Sequence, residues 1–188
     1  MNGGEVMGRR KYKTLSQEMM KEITEYVIDC YHEEQEKNKK LRYDKRLRNT
    51  KMLLRNYREL VSHSENAIYE ASQVEDEDLF DILEMMSSDT GNQYYVESIK
   101  TSAARTRLII EHVKEMLTLY EVYCDRSPKP EDKRRYRTIY ALYIADEAKT
   151  YEQIAEEENV EPRTVYRDVS AAVEKLTFLI FGIDGMRG

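Results

Sequence analysis

The chain of 188 residues has no tryptophan and only two cysteines, three prolines and seven glycines. Between residues 9 and 181 the only glycine is Gly91, so very little there interrupts a helix. The sequence also lacks the alternating β-branched runs, bounded by turn residues, that are typical of strands. These absences predict an all-α fold.

The two cysteines, Cys30 and Cys124, lie far apart, and neither has a second cysteine or a histidine at metal-ligand spacing. This distribution excludes a disulfide framework and favours a reducing, cytoplasmic setting. No stretch approaches the roughly 20 apolar residues of a membrane span, and residues 1–13 lack the apolar run of a secretory signal. We therefore expect a cytoplasmic protein with no membrane partner.

Residue patterns typical of enzymes are missing as well. The three histidines, His32, His63 and His112, are isolated on segments with helical spacing, and no glycine-rich phosphate loop occurs. The acidic cluster at residues 75–78 lacks both the spacing and the central glycine of a calcium loop. We expect no catalytic site, no metal and no cofactor.

Apolar residues recur at steps of three and four along the first part of the chain. We predict a flexible start over residues 1–13, followed by a helix whose apolar stripe at residues 19–31 packs against the rest of the protein. The polar stretch at residues 33–40 is predicted to separate this helix from a second one, which runs toward Ser72. A short third helix is expected at residues 79–86.

The most regular segment has apolar residues at alternating steps of three and four over about four heptads. Such a seam is either a homodimer interface or the buried stripe of a helix packed within one chain. The flanking Ile109, Met116 and Tyr123 widen the stripe beyond a two-stranded seam and favour the second interpretation. The seam consists of Val96, Ile99, Ala103, Thr106, Ile110, Val113, Leu117 and Tyr120.

Two of the three prolines, Pro128 and Pro130, lie close together between two segments with helical spacing. Because proline ends a helix and stiffens the connection that follows, we predict a linker at residues 126–130. It separates a helical N-terminal domain at residues 14–125 from a C-terminal unit of three helices at residues 131–184.

Residues 149–176 have the local signals of two helices joined by a tight turn. Thr150 and Gln153 have capping-box spacing at the start of the first helix. Asn159 falls at the turn, where a left-handed backbone is wanted, and Pro162 suits the first turn of the second helix. The buried stripe of that second helix is predicted to be Val165, Val169, Ala172, Val173 and Leu176.

The opposite face of the second helix carries polar residues in its first half, which is the part of a helix-turn-helix that meets base edges in the major groove. Arginine binds guanine through two hydrogen bonds, and threonine contacts a base or a phosphate. We therefore predict a trihelical DNA-binding domain whose partner is double-stranded DNA. The predicted contacts are Arg163, Thr164, Tyr166, Arg167 and Ser170.

The first helix of this pair carries several glutamates, which repel DNA if they face the phosphates. Phosphate contacts are therefore expected from basic residues before that helix. The alternative is that these residues form a solvated basic face. They are Lys133, Arg134, Arg135, Arg137 and Lys149.

Charge is segregated in the N-terminal part of the chain. Residues 37–58 hold ten Lys or Arg and one acid, Asp44, whereas residues 59–99 hold eleven acids and no Lys or Arg. The basic block either adds a phosphate-binding surface or is neutralised by the acidic block folding back onto it. The adjacency of the blocks favours the second interpretation. An acidic patch that faces a partner such as RNA polymerase is a further alternative.

The Gln-Ile-Ala-(x)4-Val-(x)3-Thr-Val-x-Arg pattern of residues 153–167 resembles the helix-turn-helix of region four in bacterial sigma factors. Residues 43–60, 98–107 and 178–184 together resemble the ArpU/RinA-like regulators of prophages in Gram-positive bacteria. This second resemblance spans most of residues 40–184. It implies activation of late phage genes by a protein that binds a promoter and engages RNA polymerase.

Two functions from other classes are the alternatives. One is a DNA-packaging component such as a small terminase subunit, which also carries a helix-turn-helix but works as a ring. The other is a protein-interaction module whose helix-turn-helix has lost its affinity for DNA. The formal net charge of -6 agrees with the latter.

Overall fold

The computed structural model describes residues 17–66, 79–87 and 103–182. These residues form seven α-helices and no strand, which confirms the predicted all-α class. The chain divides into two compact units, residues 1–39 and 40–188. Every buried apolar side chain in the described ranges belongs to the second unit.

Helix α1 runs without interruption from Gln17 to Arg55. The prediction that residues 33–40 separate two helices is therefore wrong. These residues are mostly Glu, Gln, Asn and Lys, of which all but Asn are good helix formers, and the carboxylate of Glu33 lies 3.8 Å from Lys37 Nζ one turn later. The polar run marks a solvent-exposed length of helix and not a helix end.

The apolar stripe in the first half of α1 is exposed to solvent. Met19 and Ile23 are each 48% exposed and Tyr26 is 71% exposed, so the prediction that this stripe packs against the rest of the protein is wrong. Helical spacing predicts that apolar residues share a face, but it does not predict what covers that face. The expected flexible start at residues 1–13 lies outside the described residues.

Two shorter helices follow α1. Asn56 ends α1, and its side-chain amide donates a hydrogen bond to the carbonyl oxygen of Met52 (2.9 Å). Helix α2 then spans Tyr57–Asn66, and helix α3 spans Leu79–Ser87, where a short helix is predicted. Most of the acidic block at residues 59–99 lies outside the described residues, so its predicted folding back onto the basic block stays a prediction.

Helix α4, Ala103–Arg126, contains the regular seam. Its first members, Val96 and Ile99, lie outside the described residues. From Thr106 to Tyr120 the seam side chains are at most 6% exposed within a single chain. This burial agrees with the interpretation of the seam as an intramolecular stripe.

The three helices predicted after residue 130 are present. The first is extended by a wider π-helical turn, whose closing hydrogen bond runs from the Ala145 N–H to the Tyr140 carbonyl oxygen (2.9 Å). The elements are α5, Pro130–Ile139, the π-helical turn Tyr140–Ile144, α6, Tyr151–Glu157, and α7, Pro162–Phe181.

One connected set of buried side chains unites these helices. It includes residues on both sides of residues 126–130. That these five residues separate two domains stays a prediction. The largest fully buried members are Leu53 and Leu54 of α1, Met86 of α3, Ile109, Ile110 and Val113 of α4, Ile139 of α5 and Val165, Val173 and Leu176 of α7.

Candidate nucleic-acid interface

Helix α6 begins with a complete capping box. The Gln153 N–H donates to Thr150 Oγ1 (3.2 Å), and the Thr150 N–H donates to Gln153 Oε1 (2.8 Å). These bonds satisfy backbone donors that have no partner within the helix. The predicted start of the helix is therefore confirmed.

We expect that Thr150→Ala lowers the free energy of unfolding by about 1 kcal/mol, since one backbone donor then loses its cap. Urea denaturation of the full chain measures this loss. Thr118→Ala is a suitable control because Thr118 is an exposed residue in the interior of α4, where it caps no helix. Equal stability of the Thr150 variant and the wild type would show that the cap contributes nothing.

The turn between α6 and α7 also has the predicted geometry. Asn159 adopts φ 52°, a left-handed conformation that asparagine tolerates better than most residues. The next N–H, that of Val160, donates to the Ala155 carbonyl oxygen (2.9 Å), and the Val160 side chain packs against the core. Pro162 occupies the first turn of α7, where its missing N–H costs nothing.

Helix α7 is buried on one face and exposed on the other. The five residues of the predicted stripe, from Val165 to Leu176, are at most 8% exposed. The exposed face carries Arg163, Arg167 and Ser170, which follow one another at steps of four and three. Neither guanidinium group has a hydrogen-bond or ion-pair partner among the residues that the structure describes. Of the other two predicted contacts, Thr164 is half-buried and Tyr166 is exposed.

Tyr166 is held by an aromatic contact that the sequence analysis does not predict. Its ring stacks on that of Tyr151, the first residue of α6, with the centroids 4.2 Å apart and the planes at 12°. The Tyr151 hydroxyl lies 3.5 Å from that of Tyr143. Tyr151 is half-buried, so it fixes the position of the exposed Tyr166 ring relative to α6.

Asp168 is a functional candidate that sequence reasoning missed. Its side chain is only 2% exposed, and Oδ2 accepts a hydrogen bond from Arg134 Nε (2.6 Å). Arg135 Nε lies 3.5 Å from Oδ1, and Arg135 Nη1 donates to Asp132 (2.7 Å). These contacts connect α5 to α7 and fix the rotation of α7 about its axis. The sequence does contain a signal for this buried position, because Asp168 lies three residues after Val165 and four before Ala172, on the buried face of α7.

Two further predicted phosphate contacts are ion-paired with α6 and the turn that follows it. Two of the guanidinium nitrogens of Arg137, Nε and Nη2, each donate a hydrogen bond of 2.6 Å to the Glu158 carboxylate. Lys149 Nζ lies 2.6 and 2.7 Å from the two oxygens of Glu157. Of the five cations predicted to contact phosphate, Lys133 alone is exposed without a partner in the described ranges.

The Arg137–Glu158 pair predicts a pH dependence of stability. The hydrogen bond from Arg137 holds the pKa of Glu158 below its ordinary value of 4.5. A carboxyl group whose pKa is lower in the folded than in the unfolded protein stabilises the fold at pH values above its ordinary pKa. This stabilisation is lost as the pH falls through the folded-state pKa.

We therefore expect Glu158→Gln to be less stable than the wild type at neutral pH, by no more than about 1 kcal/mol because Arg137 is largely exposed. The difference should vanish in acid, which urea unfolding across a pH series measures. A difference that does not shrink as the pH falls below 4.5 would contradict the pairing.

In the ranges that the structure describes, no cluster of three or more histidine, cysteine or carboxylate side chains has the arrangement of a metal site. None of the described helices is both long enough and apolar enough to cross a membrane.

No protein-family model, curated protein or solved structure matches this chain. Its function is therefore inferred from the geometry of its own residues. The decisive feature of that geometry is the exposed row on α7, whose two arginines have no partner among the described residues.

Proposed function

We propose that the protein is a sequence-specific DNA-binding transcriptional regulator, with α6 and α7 forming a helix-turn-helix and α7 as its recognition helix. The observation that carries this proposal is the row Arg163, Arg167 and Ser170 on the first half of α7. Two guanidinium groups on the exposed face of α7, without a partner among the described residues, have no role in the core. They have the chemistry and spacing to bind guanine edges in the major groove.

The contacts that hold α7 in position agree with this role. Base recognition needs a helix whose position and rotation are fixed before binding. The capping box at Thr150, the turn at Asn159 and the buried Asp168 all restrict how α7 sits on α5 and α6. Ala155, 4% exposed, is small enough for the helices of this unit to approach closely.

We further propose, from the resemblance to ArpU/RinA-like regulators, that the regulated genes are late phage genes and that RNA polymerase is a partner. Transcription from a promoter carrying the bound DNA site, with purified bacterial RNA polymerase, tests this role. An increase in transcript that Arg163→Ala abolishes supports activation. An unchanged transcript level rejects it.

A protein-interaction module is a second candidate, favoured by the ion pairs. Four of the five cations predicted for phosphate contacts are paired with carboxylates, which weakens the attraction of this region for DNA. The two candidates differ in how binding responds to salt. A DNA-binding protein loses affinity steeply as salt rises, whereas the module does not retain DNA even at low salt.

Selection of duplexes from a random DNA library, at two salt concentrations and followed by sequencing of the bound fraction, tests the proposal. Enrichment of one motif with steep salt dependence supports sequence-specific recognition and provides the site. Failure to retain any DNA at low salt rejects it in favour of the interaction module. Light scattering of the same protein tests the packaging alternative, because a small terminase subunit forms a ring of many copies.

A further inference from the structure

Three cations in the second half of α1 form an exposed edge, which we call the α1 basic edge. Its members are Arg48, Lys51 and Arg55, separated by three and four residues, so they lie on one side of the helix. All three are exposed, and none has an ion-pair or hydrogen-bond partner in the part of the chain that the structure describes. Asp44 lies on the same side, one turn before Arg48.

Other cations of the same basic block turn inward. Arg58 donates hydrogen bonds to the carbonyl oxygens of Leu142 and Ala145, where the π-helical turn ends. Lys45 is only 7% exposed. The basic block is therefore not one uniform surface, and the α1 basic edge is a distinct part of it that faces solvent.

Helix α1 crosses the second half of α7, and this crossing orients the edge. Tyr43 Oη donates to Glu174 Oε1 (2.7 Å), and Thr177 Oγ1 donates to Thr50 Oγ1 (2.9 Å). Both contacts join α1 to α7 after Ser170. The first half of α7, with its exposed row, thus lies to one side of the crossing.

One side of α1 lies against the last turn of α7. Arg42 and Arg46 line a cavity together with Ile180 and Phe181 in the last turn of α7. Arg48 follows Arg46 by two residues, about 200° around the helix, so its side of α1 faces away from that turn. The α1 basic edge therefore lies on the side of α1 that points away from the last turn of α7.

The charge at the end of the edge acts on the start of α6. Burial raises the pKa of Tyr151, its hydrogen bond with Tyr143 raises it further, and the nearby positive charge of Arg55 opposes both. Arg55 is thus within electrostatic range of Tyr151, and Tyr151 stacks on Tyr166 of α7. The side chain of Tyr151 thus connects Arg55, at the end of the edge, to Tyr166, which precedes Arg167 of the exposed row.

We infer that the α1 basic edge binds backbone phosphates of the duplex that α7 recognises, extending the DNA interface beyond the helix-turn-helix. This inference rests on the proposed function. From Arg48 to Arg55 the helix rises about 10 Å, a length that corresponds to about three phosphate steps along one strand. The edge supplies the free positive charge that the ion-paired Arg134, Arg137 and Lys149 do not.

The test compares the full-length wild type with the triple variant Arg48→Ala, Lys51→Ala, Arg55→Ala. All three positions are exposed and helical, where alanine is well tolerated, and circular dichroism verifies the fold. The control variant is Lys21→Ala, Lys37→Ala, Lys39→Ala, which removes the same charge from exposed positions earlier in α1. Dissociation constants are measured for the selected duplex and a scrambled one across a salt series.

We expect the triple variant to bind both duplexes more weakly, by roughly tenfold or more at about 0.1 M salt, because phosphate contacts carry no sequence information. The slope of log affinity against log salt should fall by about 2 to 3, at about 0.9 for each lost phosphate contact. The control variant should keep the affinity and slope of the wild type. Hydroxyl-radical footprints should be shorter for the triple variant.

Three results overturn the inference, and they are distinguishable. If the wild type binds the selected duplex through Arg163 while the triple variant keeps its affinity, slope and footprint, the α1 basic edge does not bind DNA and the proposed function stands. If the wild type binds no DNA at any salt concentration, the proposed function fails and the inference fails with it. An equal loss in the control variant would show a general charge effect and would also reject the inference.

Discussion

Replacing Arg163 or Arg167 with alanine is expected to weaken binding to the selected DNA site by about 1 to 3 kcal/mol, or about 5- to 150-fold. Each side chain is exposed on the first half of α7 and is free of partners among the described residues. Truncation therefore breaks no internal contact, and the fold should be unaffected. A loss of affinity then reports the contact with DNA itself.

The pattern of the loss distinguishes base contacts from phosphate contacts. A guanidinium group that binds a guanine edge discriminates among sequences, so its removal should weaken the selected duplex far more than a scrambled one. Fluorescence anisotropy with both duplexes measures the two losses. Lys114→Ala is the control, since it removes one exposed positive charge from α4, outside the proposed helix-turn-helix. Equal losses on both duplexes would reassign the arginine to a phosphate, and no loss on either would remove it from the interface.

Replacing Asp168 with asparagine is expected to lower the free energy of unfolding by about 2 to 3 kcal/mol. Asparagine keeps the size of the side chain but removes the charge that pairs with Arg134 and Arg135. Breaking a fully buried ion pair costs about 3 to 5 kcal/mol. The two arginine side chains keep 22% and 30% exposure, and their partial rehydration reduces the cost.

Urea denaturation of the full chain measures this effect. Glu152→Gln is the control because Glu152 is an exposed carboxylate on α6, and its change should stay within about 0.5 kcal/mol. An Asp168→Asn variant as stable as the control would show that the contact between α5 and α7 is not energetically important. A destabilised variant should also lose discrimination between the selected and scrambled duplexes near its unfolding midpoint, since α7 is then no longer held in place.

The features that sequence reasoning predicted correctly are local ones. The cap at Thr150, the left-handed Asn159 and the start of α7 at Pro162 depend on residues within a few positions of each other. The buried stripe of α7 follows from helical periodicity alone. The prediction of a helix end at residues 33–40 is wrong because the polarity of a segment indicates that it is exposed and does not indicate where a helix ends.

The ion pairs were not predictable because they depend on tertiary packing. Arg134 and Asp168 are 34 residues apart, and Arg137 and Glu158 are 21 apart. A sequence shows that such residues are charged, but their pairing depends on how the helices pack. The same limit applied to the α1 basic edge, because sequence alone did not show which of ten cations turn inward.

The central claim, that arginines of α7 recognise base edges in the major groove, is tested most directly by replacing guanines of the selected site with 7-deazaguanine, one at a time. This substitution removes the N7 acceptor that an arginine binds in the major groove. We predict that one such change weakens the wild type by about 1 to 3 kcal/mol and has no effect on the Arg163→Ala or the Arg167→Ala variant. Equal losses in the wild type and both variants, or no loss at any guanine, would contradict the account.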